Sequence, residues 1–124
     1  MNSNEIGKIG ELIGIIELMK KGYNVYRPID DSGVDYIILK DSVYNRIQIR
    51  TSKLLINKNC YQFHFTTEEL NKWDLFVCVC LSDNNTLGCI YIIPKENLDV
   101  MSTVSIHKVT DKTKESKWDK FLFT

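Results

Sequence analysis

Residues 33–53 read GVDYIILKDSVYNRIQIRTSK, a run of β-branched and apolar residues that is broken once by a polar turn. Such runs, bounded by glycine, aspartate and asparagine, are typical of strands. The pattern predicts a central strand from Val34 to Lys40, a turn over Asp41 to Asn45, and an antiparallel partner from Arg46 to Ser52. This hairpin is the segment around which the rest of the fold is organised.

The polar residues of the hairpin are predicted to lie close together. Side chains alternate along a strand with a period of two, so Gln48 and Arg50 share one face while Ile47 and Ile49 fill the other. Asp35 opens the facing strand, within a rung or two of that polar pair. A carboxylate among apolar neighbours is costly unless it lies at the mouth of the strand, pairs with a cation or binds a metal. Two interpretations stay open here: a structural Asp35–Arg50 ion pair, and an oxygen-lined metal site beside a cation, which would suit phosphodiester hydrolysis.

Upstream of the hairpin, the run from Glu5 to Lys21 predicts a helix, with Ser3 or Asn4 as its N-cap. Apolar residues occur almost all round this helix, so it should be buried on more than one side. Glu11 lies in its middle and is read either as a solvated glutamate or as a group pointing towards Asp35. Glycines are poor helix formers, and three of them here indicate a close approach of the helix backbone to a neighbouring element: Gly7, Gly10 and Gly14.

The remaining segments predict further strands and short helices around one sheet. The expected strands are Tyr23 to Pro28, Cys60 to Phe65, a fully buried Leu75 to Leu81, Gly88 to Ile93 and Thr103 to Val109. The expected helices follow Thr66 or Thr67, begin at Pro94, and span Lys114 to Phe121. The order predicts an α/β (α+β) fold with a mixed β-sheet of about five strands flanked by helices. We expect one domain over residues 1–124.

Composition excludes several classes of protein. The chain has 44% apolar residues and 26% charged residues with a net charge of zero, as in a soluble globular protein. The apolar run from Leu12 to Met19 is too short to span a bilayer, and no signal peptide is visible, so we expect a cytoplasmic, intracellular protein without a membrane partner. Four cysteines lack the paired spacing of a zinc site and are predicted to be buried thiols.

Charge is unevenly distributed despite the zero total. No aspartate or glutamate occurs from Ser42 to Thr67, whereas the preceding segment is acidic. A basic surface beside an acidic pocket is what a metal-dependent nuclease needs, although such a gap also arises by chance. The candidate phosphate contacts are Arg27, Arg46, Lys53 and Lys58.

These motifs together resemble the PD-(D/E)xK nuclease superfamily, over roughly Glu5 to Pro94. The resemblance is closest to small archaeal-type endonucleases and Holliday-junction resolvases, in which a helix glutamate precedes three strands. Their Gly-Tyr-x-Val, Asp and Gln/Glu-x-Lys strand motifs correspond to residues 22–25, 33–35 and 47–53 here. The resemblance implies a restriction-endonuclease-like core and metal-dependent hydrolysis of DNA.

Carried over to this sequence, the resemblance assigns each site residue a role. Asp35 would be the principal ligand of Mg²⁺ or Mn²⁺, with Glu11 as a direct or water-mediated ligand. Gln48 would contribute its side-chain oxygen and Ile49 its main-chain carbonyl. Arg50 would occupy the lysine position and neutralise developing charge. A homodimer or higher homo-oligomer would let two sites address the two strands.

Departures from the family pattern leave two alternatives to the nuclease. Val34 replaces the proline of the motif, at little cost. Gln48 replaces an acidic ligand and so holds a cation with less charge. Arg50 replaces lysine, is never neutral at working pH and cannot act as a base. The chain could instead be a catalytically inactive, nuclease-like module that binds nucleic acid or protein, or a structural α/β domain whose motif match is accidental.

Overall fold

The computed structural model describes residues 1–30, 33–55, 57, 59–98, 102–107 and 117–124. The α-helix and seven strands within those residues are, in chain order, α1 (Ser3–Lys20), β1 (Asn24–Tyr26), β2 (Tyr36–Lys40), β3 (Val43–Lys53), β4 (Cys60–His64), β5 (Leu75–Leu81), β6 (Leu87–Pro94) and β7 (Thr103–His107). Short 3₁₀ helices occupy Thr67–Asn71, Lys95–Asn97 and Asp119–Phe121. Among these described helices, none is long and apolar enough to cross a membrane.

Five strands form a mixed sheet in the order β1-β2-β3-β5-β6. The first three make an antiparallel meander in which Tyr36 faces Ile47. β5 runs parallel to β3, with Arg50 opposite Cys78, and β6 returns antiparallel to β5. The prediction of an α+β fold around a mixed sheet of about five strands is confirmed.

The central hairpin turns more tightly than its sequence indicates. Lys40 pairs directly with Val43, so the turn contains only Asp41 and Ser42. Both have positive φ, 51° and 66°, as in the two-residue turns whose twist matches that of the flanking strands. β3 therefore starts at Val43, three residues before the predicted Arg46.

The second small sheet lies outside the predicted arrangement. β4 pairs with β7, with Phe63 opposite Val104, and joins no strand of the main sheet. Parallel strands require a long crossover, and residues 54–74 provide it between β3 and β5. One flank of the main sheet is thus α1, while β4, β7 and 3₁₀ helices cover the other. The predicted final helix, Lys114 to Phe121, lies partly outside the described residues, and its described end is the 3₁₀ helix Asp119–Phe121.

Helix α1 begins earlier than predicted because Asn2 is its cap. The Asn2 side chain accepts a hydrogen bond from the Glu5 N–H at 2.9 Å, which satisfies one of the free donors of the first turn. Neither Ser3 nor Asn4 has this role, so that prediction was wrong. The helix ends before Gly22, whose φ of +90° is readily adopted only by glycine.

Two of the three helix glycines seat α1 against the sheet. A Cβ added at Gly10 would clash with the Thr51 side chain on β3, and one at Gly14 would lie 3.3 Å from Val79 Cγ2 on β5. Nothing lies within 4 Å of a Cβ at Gly7. The predicted close approach is confirmed at Gly10 and Gly14 and was wrong at Gly7.

The alternation along β3 and β5 divides the apolar residues between the two faces of the sheet. Ile47 and Ile49 of β3 join Val77 and Val79 of β5 in the cluster beneath α1. Phe76, Cys78 and Cys80 of β5 point to the opposite cluster with the second sheet. β5 is buried on both faces, as predicted. The same alternation places Gln48 and Arg50 on the face away from α1.

Candidate active site

Asp35 lies at the mouth of β2, one residue before the strand begins. Its N–H donates to the Ile47 carbonyl at 3.2 Å, so its backbone continues the pairing with β3. Its Oδ2 accepts the Ile49 N–H at 2.9 Å. The preceding Gly33 has a φ of +81°, which allows the chain to bend into the strand. The carboxylate is therefore held against β3 by backbone contacts on both sides.

Glu11 faces the sheet rather than solvent. Its Oε1 accepts a hydrogen bond from the Tyr36 hydroxyl at 2.5 Å, and its Oε2 lies 3.5 Å from Lys8 Nζ. Burial, the larger cause, and the hydrogen bond to Glu11, the next, raise the pKa of Tyr36 to about 12. The phenol therefore remains a donor at neutral pH. Tyr36 follows Asp35 in the chain and faces α1. Its hydroxyl therefore links Glu11 on the helix to the start of β2, next to Asp35.

Gln48 and Arg50 differ sharply in exposure and partners. Gln48 is 6% exposed, and its Oε1 is buried without a hydrogen-bond partner in the described part of the chain. Arg50 Nη1 donates to the Ile49 carbonyl at 3.2 Å and lies 3.8 Å from Asp35 Oδ2. Arg50 Nη2 lies 3.9 Å from Oε2 of Glu69. The guanidinium thus stands between two carboxylates.

A cleft unites most of these groups. Glu11, Asp35, Ile49 and Arg50 all line a concavity of about 320 Å³. An adjoining concavity of about 610 Å³ shares Glu11 and Asp35 with it and extends to Arg27. Gln48 lines neither and is packed into the sheet. The fold also brings Lys72 to the loop before Asp35, where a Cβ added at Gly33 would lie 2.6 Å from Lys72 Cδ.

Burial disfavours the charged form of Asp35 in this cleft. Burial raises the pKa of Asp35 above its ordinary value, although the Ile49 N–H and the Arg50 guanidinium both act in the opposite direction. The nearby carboxylate of Glu11 raises that pKa further. A raised carboxyl pKa means that the surroundings disfavour the charged form, and a bound cation would reverse that preference.

The donor set fits a hard cation. Among the described residues, no three histidine, cysteine or acidic side chains are grouped so that they could hold a metal ion. Glu11 and Asp35 supply two carboxylates, so an ion here would also need the neutral oxygens of Gln48 and Ile49. The unpartnered Gln48 Oε1 is compatible with a missing positive partner. Carboxylate, amide and carbonyl oxygens are the donors that Mg²⁺ and Mn²⁺ take.

The four candidate phosphate contacts lie in different surroundings. Arg27 is exposed and lines the larger concavity. Arg46 is bound to Asp74, with Nη2 2.9 Å from Oδ1 and Nε 3.3 Å from Oδ2. Lys53 Nζ donates to the Asp83 carbonyl at 3.3 Å. Lys58 lies outside the described residues.

Comparison with known proteins identifies the family. A sequence model of the family described as PD-(D/E)XK endonuclease matches residues 1–121. The chain belongs to the PD-(D/E)XK endonuclease family. The resemblance stated from the sequence motifs is thereby confirmed. A search of curated protein sequences finds no significant match.

A solved structure shares the fold of this family member. The chain is similar to that of the bacterial homing endonuclease I-Ssp6803I, with a TM-score of 0.80 and 15% sequence identity. The match covers 98% of this chain and 86% of the other. At that identity the likeness establishes the fold, and the chemistry must be argued from the side chains in the cleft.

Glu69 and Tyr36 are neighbours of the site that the sequence did not single out. Tyr36 is one of several apolar or aromatic residues of β2, and nothing in its spacing shows that it reaches Glu11. Glu69 follows Glu68 at the start of a 3₁₀ helix, where both carboxylates are expected as helix-start residues. Only the tertiary structure distinguishes the two glutamates: Glu68 is exposed, whereas Glu69 is half-buried beside Arg50 of β3.

Proposed function

We propose that the chain is a metal-dependent endonuclease that hydrolyses phosphodiester bonds of DNA with Mg²⁺ or Mn²⁺. The observation that carries this proposal is the convergence of Glu11, Asp35 and Arg50 on one cleft. Membership of the PD-(D/E)XK endonuclease family supports it, as does a fold neighbour described as a homing endonuclease.

In this proposal each donor has a separate task. Asp35 and Glu11 would hold the ion through their carboxylates, while Gln48 Oε1 and the Ile49 carbonyl would complete its oxygen shell. When bound, a divalent ion supplies Lewis acidity and lowers the pKa of a coordinated water. The Ile49 N–H and the Tyr36 hydroxyl orient the two carboxylates, because each donates to one of them.

Arg50 would act on the substrate through its charge. A guanidinium stays protonated throughout the working pH range, so Arg50 can offset charge on the phosphate but cannot accept a proton from water. Lys8 also lines the cleft and lies one helical turn before Glu11. Its ammonium would add to the field that attracts the DNA backbone, together with the exposed Arg27 of the adjoining concavity.

One specific observation favours the second candidate, a catalytically inactive nuclease-like module. Arg50 Nη1 is hydrogen-bonded to the Ile49 carbonyl and lies 3.8 Å from Asp35, so a fixed positive charge already stands beside two of the four proposed donors. If it never leaves them, an ion would bind weakly or not at all. Such a module could still bind nucleic acid through its basic side chains.

Two experiments distinguish these candidates. In the first, Mn²⁺ is titrated calorimetrically into the native protein and Asp35→Asn, which keeps an oxygen to accept the Ile49 N–H but removes the charge. Equal binding by the two proteins would exclude the proposed site. In the second, plasmid, branched and single-stranded DNA are incubated with Mg²⁺ and either protein, and cleavage is followed on gels. Binding without cleavage that Arg50→Lys leaves unchanged would favour the inactive module.

One further expectation, the oligomeric state, belongs to this proposal. A single small domain covers few base pairs, so a homodimer or higher homo-oligomer would let two clefts reach the two strands of a duplex. Sedimentation with and without a DNA duplex measures the stoichiometry. A complex that contains one chain per duplex while both strands are cut would contradict the dimer.

A further inference from the structure

Glu69 projects its side chain towards Arg50 from a fixed point of the backbone. Its N–H donates to the Thr66 carbonyl at 3.1 Å, and its own carbonyl accepts the Lys72 N–H at 2.8 Å. The carboxylate oxygen Oε2 is buried and has no hydrogen-bond partner in the described part of the chain. Its near cation is Nη2 of Arg50, at 3.9 Å. A buried, negatively charged oxygen in this setting needs a positive partner.

Arg50 is shared rather than committed. Its Nη1 serves the Ile49 carbonyl at 3.2 Å and lies 3.8 Å from Asp35, whereas its Nη2 lies towards Glu69. Both carboxylates are beyond hydrogen-bond distance of the guanidinium, at 3.8 and 3.9 Å, so neither one holds it by a hydrogen bond. A lysine ammonium is a single point charge and could not face both sides at once, whereas the arginine fork can.

The partner that Arg50 takes would have opposite consequences for the cleft. A guanidinium bound to Asp35 and the Ile49 carbonyl would repel a cation that uses the same oxygens. A guanidinium bound to Glu69 would leave those oxygens free. Glu69 lines neither concavity, so it is not placed to hold the ion itself.

We propose that Glu69 is a positioning residue, which binds Arg50 through Nη2 and draws the guanidinium off Asp35 and the Ile49 carbonyl when a divalent ion enters. This rests on the proposed function, because it concerns the same ion site. It also gives a physical reason for arginine in the lysine position. A guanidinium has two terminal nitrogens, so it can leave the oxygens that bind the ion, bind Glu69 instead and still remain beside the phosphate.

The contact itself is tested without metal or DNA. The sequence contains three arginines, so ¹⁵N-arginine labelling gives a simple side-chain NMR spectrum. The comparison is between native protein, Glu69→Gln and the matched control Glu68→Gln, an exposed neighbour with the same change of charge. We expect the Arg50 guanidinium to rotate faster in Glu69→Gln than in the native protein and in Glu68→Gln, although its bond to the Ile49 carbonyl remains in all three. Unchanged rotation in Glu69→Gln would overturn the proposal.

The effect on the ion is tested by Mn²⁺ calorimetry in a double-mutant cycle with Arg50→Ala. Glu69→Gln should weaken Mn²⁺ binding about tenfold, the lower end of what is lost when a residue supporting the metal ligands is removed. In the Arg50→Ala background the same substitution should change the affinity less than about twofold, because no guanidinium remains to be drawn away. Glu68→Gln should resemble the native protein in both backgrounds.

Each other outcome decides against part of the argument. An equal loss in both backgrounds would show that Glu69 acts on the ion directly and would overturn the positioning role, as would no loss in either. If Mn²⁺ binds none of the variants, including the native protein, the proposed metal-dependent function fails. The arginine spectra, recorded without metal, then still show whether Glu69 holds Arg50.

Discussion

Replacing Gly10 by alanine should destabilise the protein, whereas the same change at Gly7, one helical turn earlier, should stabilise it. Both glycines lie in α1, and alanine is favoured over glycine within a helix by about 0.8–1 kcal/mol. A Cβ at Gly7 meets nothing within 4 Å. A Cβ at Gly10 lies 2.7 Å from the Cβ of Thr51. Rotation of the Thr51 side chain does not move that atom, so the backbones of α1 and β3 must separate.

The magnitude follows from these two terms. Forcing an extra methyl group into a well-packed contact costs about 1–3 kcal/mol, which offsets or exceeds the helix-propensity gain. The propensity gain cancels when the two variants are compared, so Gly10→Ala should be less stable than Gly7→Ala by about 1–3 kcal/mol. At ordinary urea dependence this moves the unfolding midpoint by about 1 M. Because Glu11 follows Gly10, the shift of α1 should also weaken Mn²⁺ binding.

Urea unfolding followed by tryptophan fluorescence measures this difference. Trp73 and Trp118 are buried, 0% and 4% exposed, and will report the loss of the core. The double variant Gly10→Ala/Thr51→Gly removes the clashing Cβ, so its effects should be non-additive and recover part of the loss. If Gly7→Ala and Gly10→Ala raise the midpoint equally, the close packing of α1 on β3 is refuted.

Three further predictions concern Asp35, Asp74 and Gln48. Because the folded pKa of Asp35 is raised, its charged form opposes folding, and this penalty grows as pH rises through that pKa. Asp35→Asn should therefore raise the urea midpoint of the metal-free protein at pH 7 and have little effect near pH 3. A lower midpoint at pH 7 would contradict the raised pKa. The hydrogen bond from Arg46 lowers the pKa of Asp74, so its contribution is present at neutral pH and lost as pH falls through the folded pKa. Asp74→Asn should lower the midpoint at pH 7 and bring the two proteins together in acid, and parallel pH profiles would rule this out. Gln48→Glu should tighten Mn²⁺ binding by about tenfold or more in calorimetry, because it adds a negative charge to the proposed donors. It should also lower the urea midpoint of the metal-free protein, because the charge lies at a buried position. Unchanged affinity would exclude Gln48 as a donor.

The sequence was a good guide wherever a local rule applied. The alternation of Ile47 and Ile49 with Gln48 and Arg50 follows from strand geometry alone, and the structure has the same alternation. The continuous apolar run of β5 predicted a strand buried on both faces with the bounds that are observed. Errors at the ends of elements came from single residues, such as Asn2 as the cap of α1, whose role depends on one side-chain hydrogen bond.

Long-range relationships were beyond the reach of the sequence. No local pattern shows that β4 leaves the main sheet to pair with β7, because both strands have ordinary strand composition. The same holds for the bond between Tyr36 and Glu11, which joins residues 25 positions apart. Glu68 and Glu69 are chemically identical in sequence, and only the packing of their 3₁₀ helix beside β3 directs one of them to Arg50.

The sequence by itself determined the residue types of the cleft, their strand faces and the family, because periodicity and motif spacing are local properties of the chain. The tertiary structure alone decided which carboxylates face Arg50, how closely α1 approaches β3, and that the Gln48 oxygen is buried without a partner in the described residues. Those features depend on distances between elements far apart in the chain, and such distances are set by how whole side chains pack.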